Sequence, residues 1–157
     1  MTPRARGFTL IELMVTVAIV GILASVTVPL ASLTVQRHKE QELRRALREL
    51  RTAIDAYKRA SDEGRITRRV DDSGYPQNLL QLVEGVEDAK RADRSRIYFL
   101  RRLPRDPFAP SSTEAAASWG KRSYASPPEA PSEGRDVYDV YSLAPGNGLN
   151  GMPYRQW

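Results

Sequence analysis

The sequence has no cysteine and a single histidine among its 157 residues. Without cysteine there is no disulfide, no thiol nucleophile and no cysteine-based metal site. A domain built from this chain is held by its apolar core alone or by an ion. The one histidine, His38, stands between Arg37 and Lys39, just past a long apolar run. No Ser/His/Asp set assembles around it, so it reads as a headgroup-facing residue and not as a base. There is no glycine-rich phosphate loop. Asp71 and Asp72 are adjacent; in an extended chain they point apart and read as a loop charge pair. No acidic residue follows Asp139, and no internal repeat is visible.

What is present is soluble-like in bulk, with 27% charged and 41% hydrophobic residues. The length suits one small domain plus an extra element. The formal net charge is +5, and removal of residues 1–7 with Arg4 and Arg6 leaves +3. So modest an excess reads as a solvated basic face. Gln36–Arg69 holds 11 basic and 6 acidic residues, with no aromatic interleaving and no base-reading motif. Nucleic acid is therefore not an expected partner.

The exception is Leu13–Val35, 23 residues without a charge. A bilayer core of about 30 Å takes roughly 20 apolar residues as helix. Arg4 and Arg6 before the run favour a cytoplasmic N-terminus, although Arg37 and Lys39 after it weaken that bias. Three readings fit. One is a signal peptide cut after the run, at Ala24 or Ala31. Another is a plain signal anchor. The third is a segment cut before the run, at Gly7, so that the apolar helix stays in the mature protein.

Glu12 bears on the choice. A charge near an apolar segment costs up to about 2.5–3.5 kcal/mol at the helix centre and less near the interface. A disposable signal or simple anchor gains nothing from it. A helix packing beside copies of itself does gain. After a cut at Gly7 the new Phe8 amine is a cation that a neighbour's Glu12 can pair with. Such pairs serve register more reliably than stability. The plainer alternative seats Glu12 in the headgroup layer.

Beyond the run, Leu43, Leu47, Leu50, Ile54 and Tyr57 are spaced 4, 3, 4 and 3 residues apart. That is one apolar stripe on a helix. Phe8 to Ala60 makes one continuous helix of 53 residues, about 80 Å long. Gly21 and Pro29 are its expected points of bending. Ser61–Gly74 reads as a connector. Gln77–Val86 has a short helical pattern, and Arg96–Leu103 reads as a short strand or a helical turn. Pro104–Pro110 is an extended proline-punctuated loop. Trp119–Tyr124 and Asp136–Leu143 read as strands. In the second, both faces are mixed, so the pattern does not show which is buried. The tail from Ala144 has no period and ends in Tyr154 and Trp157, aromatics able to fold back onto the sheet.

The hexapeptide Gly7-Phe8-Thr9-Leu10-Ile11-Glu12 closely resembles the processing site of type IV prepilins and type II secretion pseudopilins. The resemblance implies that a prepilin peptidase cuts after Gly7 and N-methylates Phe8. It also makes Glu12 the assembly glutamate. Pro29 matches a proline common at that depth. Farther on, YPxxLxxLVE (Tyr75–Glu84), LRRLPRDPF (Leu100–Phe108), a Trp-Gly strand (Trp119–Tyr124) and YDVYSL (Tyr138–Leu143) with a glycine-rich loop resemble the G-type pseudopilin domain.

The implied fold is α+β and pilin-like. A long N-terminal helix, half transmembrane and half amphipathic, packs on a small C-terminal antiparallel sheet. Residues 1–7 would be the leader, 8–35 the transmembrane or filament-core helix, 36–60 its amphipathic continuation, and 61–157 a periplasmic domain. The implied function is structural: a subunit of a pseudopilus in the inner membrane and periplasm. Its implied partners are prepilin peptidase, other copies and other pseudopilins, membrane lipid, and an assembly platform with a cytoplasmic ATPase. The alternatives are a type IV pilus or competence pilin, and a membrane-anchored periplasmic enzyme.

The resemblance also implies Ca²⁺ in the loop after the YSL strand, held by backbone carbonyls and downstream aspartates. Here the loop offers carbonyls near Leu143 and the side chains of Asn147 and Asn150, but no carboxylate. The reading is of no cofactor, with packing by Tyr154 and Trp157 in its place and a Ca²⁺ site near those three residues as the lesser alternative. The missing acids mark a divergent G-like pseudopilin, a minor subunit, or a pilin-like protein of a related machine.

Overall fold

The computed structural model describes residues 8–157, apart from the side chains of residues 25–31. The expected leader, Gly7 included, lies outside the described residues. The chain divides into two compact units, residues 1–38 and 39–157.

Helix α1, Leu10–Asp62, runs through Gly21 and Pro29 without interruption. In the first unit, the described apolar side chains from Phe8 to Leu23 are all exposed. Among the described residues no helix is long and apolar enough to cross a membrane; the side chains of residues 25–31, inside the charge-free run, are outside them.

The second unit has one core. From α1 it takes Leu43, Ala46, Leu47, Leu50, Ala53, Ile54, Tyr57 and Ala60, all buried. This is the stripe the spacing implies. Against it pack Leu79, Leu82, Leu100, Trp119, Val137, Val140 and Tyr154. Truncating a fully buried member such as Leu50 to alanine would cost about 2–5 kcal/mol.

α1 ends two residues later than the apolar stripe suggests. The Arg65 N–H donates to Ala60 O at 2.9 Å and the Gly64 N–H to Ser61 O at 3.0 Å. Gly64 sits at φ +71°. This is a Schellman closure, which needs a residue at positive φ and so stops the helix at the glycine. Arg65, just past it, donates to Asp88 Oδ2 from Nε (3.1 Å) and Nη2 (2.7 Å). That pins the helix end to the next hairpin.

The second helix is shorter than the pattern implied: α2 is Gln81–Glu84. Leu79 and Leu80 stay outside it, and Asn78 Oδ1, just before them, accepts the Gln81 N–H at 3.1 Å. Gly85, at φ +75°, ends it. Strands β1 (Val86–Glu87) and β2 (Arg96–Ile97) then pair antiparallel. Strands β3 (Trp119–Arg122) and β4 (Asp139–Ser142) form a second antiparallel pair, with Trp119 opposite Ser142 and Arg122 opposite Asp139. The expected single sheet is thus two separate two-stranded sheets. β4 is also shorter than the expected span. The Val137 N–H leaves the ladder and donates to Pro76 O at 2.7 Å.

Candidate functional site

Two segments carry functional expectations. The first is the start of α1. Thr9 O accepts the Leu13 N–H at 3.2 Å, the first bond of the helix. Thr9 Oγ1 accepts the Glu12 N–H at 3.3 Å, and the Thr9 N–H reaches back to Glu12 Oε2 at 3.5 Å. This reciprocal pair is a capping box, T-x-x-E, which satisfies two donors the helix start leaves free. It also turns the Glu12 carboxylate toward the N-terminal end, where the helix dipole favours negative charge. Phe8 precedes the cap and is 83% exposed. In the sequence Glu12 reads as a partner for a neighbour's Phe8 amine or as a headgroup-layer charge; the T-x-x-E spacing from Thr9 was the signal for its capping role.

Gly21 has open space around it, and Pro29 falls where side chains are not described. Neither interrupts α1.

The second segment is the chain after β4. It folds back on itself through a bridge between Asn147 and Pro153. Inside, the Gly148 N–H donates to Met152 O and the Gly151 N–H to Gly148 O, both at 2.8 Å. Asn150 Oδ1 accepts the Met152 N–H at 3.1 Å. Gly148 lies under the Trp157 indole, so close that a Cβ would stand 2.2 Å from it. Tyr154 is buried. Its ring packs on Phe108, centroids 4.4 Å apart, and on Trp157 at 5.2 Å. Arg44 covers the Trp157 ring at 4.4 Å.

Two buried or half-buried charges, Glu40 and Arg51, join this segment to the rest of the second unit, and a third, Asp106, holds the end of β4. Glu40, on α1, is 5% exposed. Its Oε1 accepts the Leu149 N–H at 2.8 Å and the Tyr154 hydroxyl at 3.1 Å. Arg51 donates to Asp139 Oδ1 (2.8 Å), Val140 O (3.1 Å) and Trp157 O (2.7 Å). Asp106, in the proline loop, accepts the Ser142 hydroxyl at 2.5 Å and the Phe108 N–H at 2.8 Å. The Trp119 indole N–H donates to Pro104 O at 2.9 Å, fixing the same loop from the other side. None of Glu40, Arg51 or Asp106 stood out in the sequence.

A cavity of about 810 Å³ lies between the end of α1 and residues 66–77 and 123–136; Ser61, Asp71, Asp72, Tyr75, Tyr124 and Asp136 line it. Asp136 is already engaged by the Ser123 hydroxyl at 2.7 Å and the Tyr124 N–H at 2.8 Å. Burial works against its charge, but the Ser73 and Ser123 hydroxyls and the Tyr124 N–H hold its carboxyl below the usual range. It ties the two ends of the loop between Ser123 and Asp136 together. Asp71 and Asp72 stay in the loop, where Asp72 Oδ2 accepts the Arg69 N–H at 3.0 Å.

Residues 2–28 match the prokaryotic N-terminal methylation motif. The chain is 34% identical over 109 residues to the type II secretion system core protein G of Klebsiella pneumoniae, covering 67% of this chain and 70% of that protein. The chain belongs to the type II secretion core protein G family. The Escherichia coli core protein G is 32% identical over 111 residues, 68% of this chain and 69% of its own length. The type IV major pilin of Myxococcus xanthus is 47% identical, but over only 55 residues, 35% of this chain and 25% of the pilin. No solved structure matches.

The calcium implied for a core protein G does not fit the residues present. The segment after β4 has no acidic side chain, and calcium affinity depends largely on carboxylates. Among the described residues no three His, Cys, Asp or Glu are grouped to hold a metal ion. Of the proposed ligands, Asn150 already caps Met152 and Asn147 sits in the bridge to Pro153.

Proposed function

We propose that this chain is a structural subunit of a type II secretion pseudopilus, polymerised through its N-terminal helix to drive protein export. The observation that carries the reading is the core protein G similarity over two thirds of the chain, joined to the methylation motif at residues 2–28. On this reading prepilin peptidase removes Met1–Gly7 and methylates Phe8. The apolar part of α1 holds the subunit in the inner membrane, with residues 61–157 in the periplasm. An assembly platform driven by a cytoplasmic ATPase then moves that part from lipid into the filament, beside other copies and other pseudopilins. Glu12 neutralises a neighbour's Phe8 amine there. The capping box supports this role, since it aims the carboxylate at the end of the helix where that amine would lie.

The pilin reading draws on the Myxococcus xanthus match, which covers about a third of the chain. The enzyme reading has no support from these relatives, which are named as secretion core proteins and a pilin. Deleting the chain in its host tests the choice. Loss of extracellular export with intact surface pili supports the pseudopilus. Intact export with loss of pili or of DNA uptake contradicts it.

A further inference from the structure

We propose that this core protein G closes its C-terminal segment with Glu40 in place of calcium, and folds and holds that segment without a divalent cation. The proposal concerns residues 39–157 alone and does not depend on the filament reading.

Calcium collects oxygens, typically six to eight, and carboxylates supply most of the affinity. The segment after β4 is arranged for the opposite polarity. It presents the Leu149 N–H and the Tyr154 O–H to a buried acceptor, Glu40 Oε1. Several of its own carbonyls are already accepting hydrogen bonds. Met152 O accepts from the Gly148 N–H and from the Trp157 indole. Gly148 O accepts the Gly151 N–H and Gly146 O the Tyr154 N–H.

The other nearby carboxylates are also engaged. Asp106 holds the Ser142 hydroxyl and the Phe108 N–H. Asp139 holds Arg51 at 2.8 Å and Arg122 at 3.6 Å. A cation entering here would have to displace a guanidinium or several N–H groups. Glu40 therefore does from α1 what a metal would do from inside the loop: it fixes the loop to the core through charge. It acts at Leu149 and Tyr154 as a positioning residue.

The test uses the full mature chain in detergent micelles. Thermal unfolding is followed by tryptophan fluorescence, in EGTA and in about 10 mM CaCl₂. A calcium module with a dissociation constant of about 10⁻⁴–10⁻³ M would then be well saturated, and its melting temperature would rise by about 4 °C or more. The expected result is that the two midpoints agree within about 1 °C. Glu40→Ala should lower both midpoints by about 4 °C or more, and should speed hydrogen exchange at the Leu149 amide while β3 and β4 stay protected. Tyr154→Phe keeps the ring and loses one donor, so it should lower both by about 2 °C. A calcium-dependent rise in the unsubstituted chain overturns the proposal. So does a Tyr154→Phe chain that melts with the unsubstituted one. If Glu40→Ala fails to fold, those two comparisons still decide.

Discussion

Glu12 and Thr9 hold each other at the start of α1: the Thr9 hydroxyl oxygen accepts the Glu12 N–H at 3.3 Å, and Glu12 Oε2 receives the Thr9 N–H at 3.5 Å. The glutamate therefore has a local role, as a cap, beside the intermolecular role proposed for it. The two separate cleanly, because glutamine serves a capping box as well as glutamate does but carries no charge. Glu12→Gln and Glu12→Ala should both enter the membrane and both fail to enter filaments. Thr9→Val, which loses the cap at a cost of about 1 kcal/mol but keeps the charge, should assemble. Cross-linking of membrane and sheared fractions reads this out. Normal filaments from Glu12→Gln would leave capping as the residue's whole role.

Arg51 ties α1 to β4 and to the backbone of Trp157 through three hydrogen bonds. The Arg51 and Asp139 side chains are 39% and 29% exposed, which weakens the ion pair itself. The two carbonyls, Val140 and Trp157, still lose a charged donor on truncation. Arg51→Ala should destabilise the domain by about 1–3 kcal/mol, read as a lower midpoint in urea at unchanged slope. Asp139→Asn, which keeps the carbonyl bonds, should cost less.

Gly120 has no room for a side chain. A Cβ there would stand 2.2 Å from the Tyr141 ring, which lies across it from the paired strand. Gly120→Ala should cost about 1–3 kcal/mol through forced displacement of that ring. The double substitution with Tyr141→Ala should recover part of it, giving a coupling energy that a thermodynamic cycle measures. Additive costs would show that the ring is not the obstacle.

Asp88 is buried beside Arg65. The Arg65 hydrogen bond holds its carboxyl below the usual carboxylate range, aided by the Lys90 N–H and opposed by burial. A carboxyl depressed in the folded state binds its proton more readily when unfolded. Its contribution is thus fully present above its unfolded pKa of about 4 and is lost as pH falls through the folded value. Acid melts should show this loss below about pH 4, and Asp88→Asn should flatten the profile there while lowering stability at neutral pH. An unchanged acid limb would contradict the assignment.

The apolar stripe of α1 was legible because each member lies on one face of a 3.6-residue period, and Leu43 through Tyr57 are buried as that spacing implies. β3 and β4 were legible as strands. The buried face of β4 was not, because it carries Val140 and Ser142 together. Ser142 can be buried only because Asp106, 36 residues away, accepts its hydroxyl. Glu40 was illegible for the same reason. In sequence it follows His38 and Lys39 and reads as surface, and its partners Leu149 and Tyr154 are 109 and 114 residues distant. The helix end was misplaced by two residues although Gly64, the residue at positive φ, was in view. Local periodicity carries the apolar core. It does not carry polar pairs whose members meet only in the fold.

The measurement that bears most directly on the account is mass spectrometry of the mature N-terminus, on protein taken from membranes of the native host. The expected chain begins at Phe8 and carries one methyl group on its amine. A chain still starting at Met1, or one cut after the apolar run near Ala24 or Ala31, would contradict it.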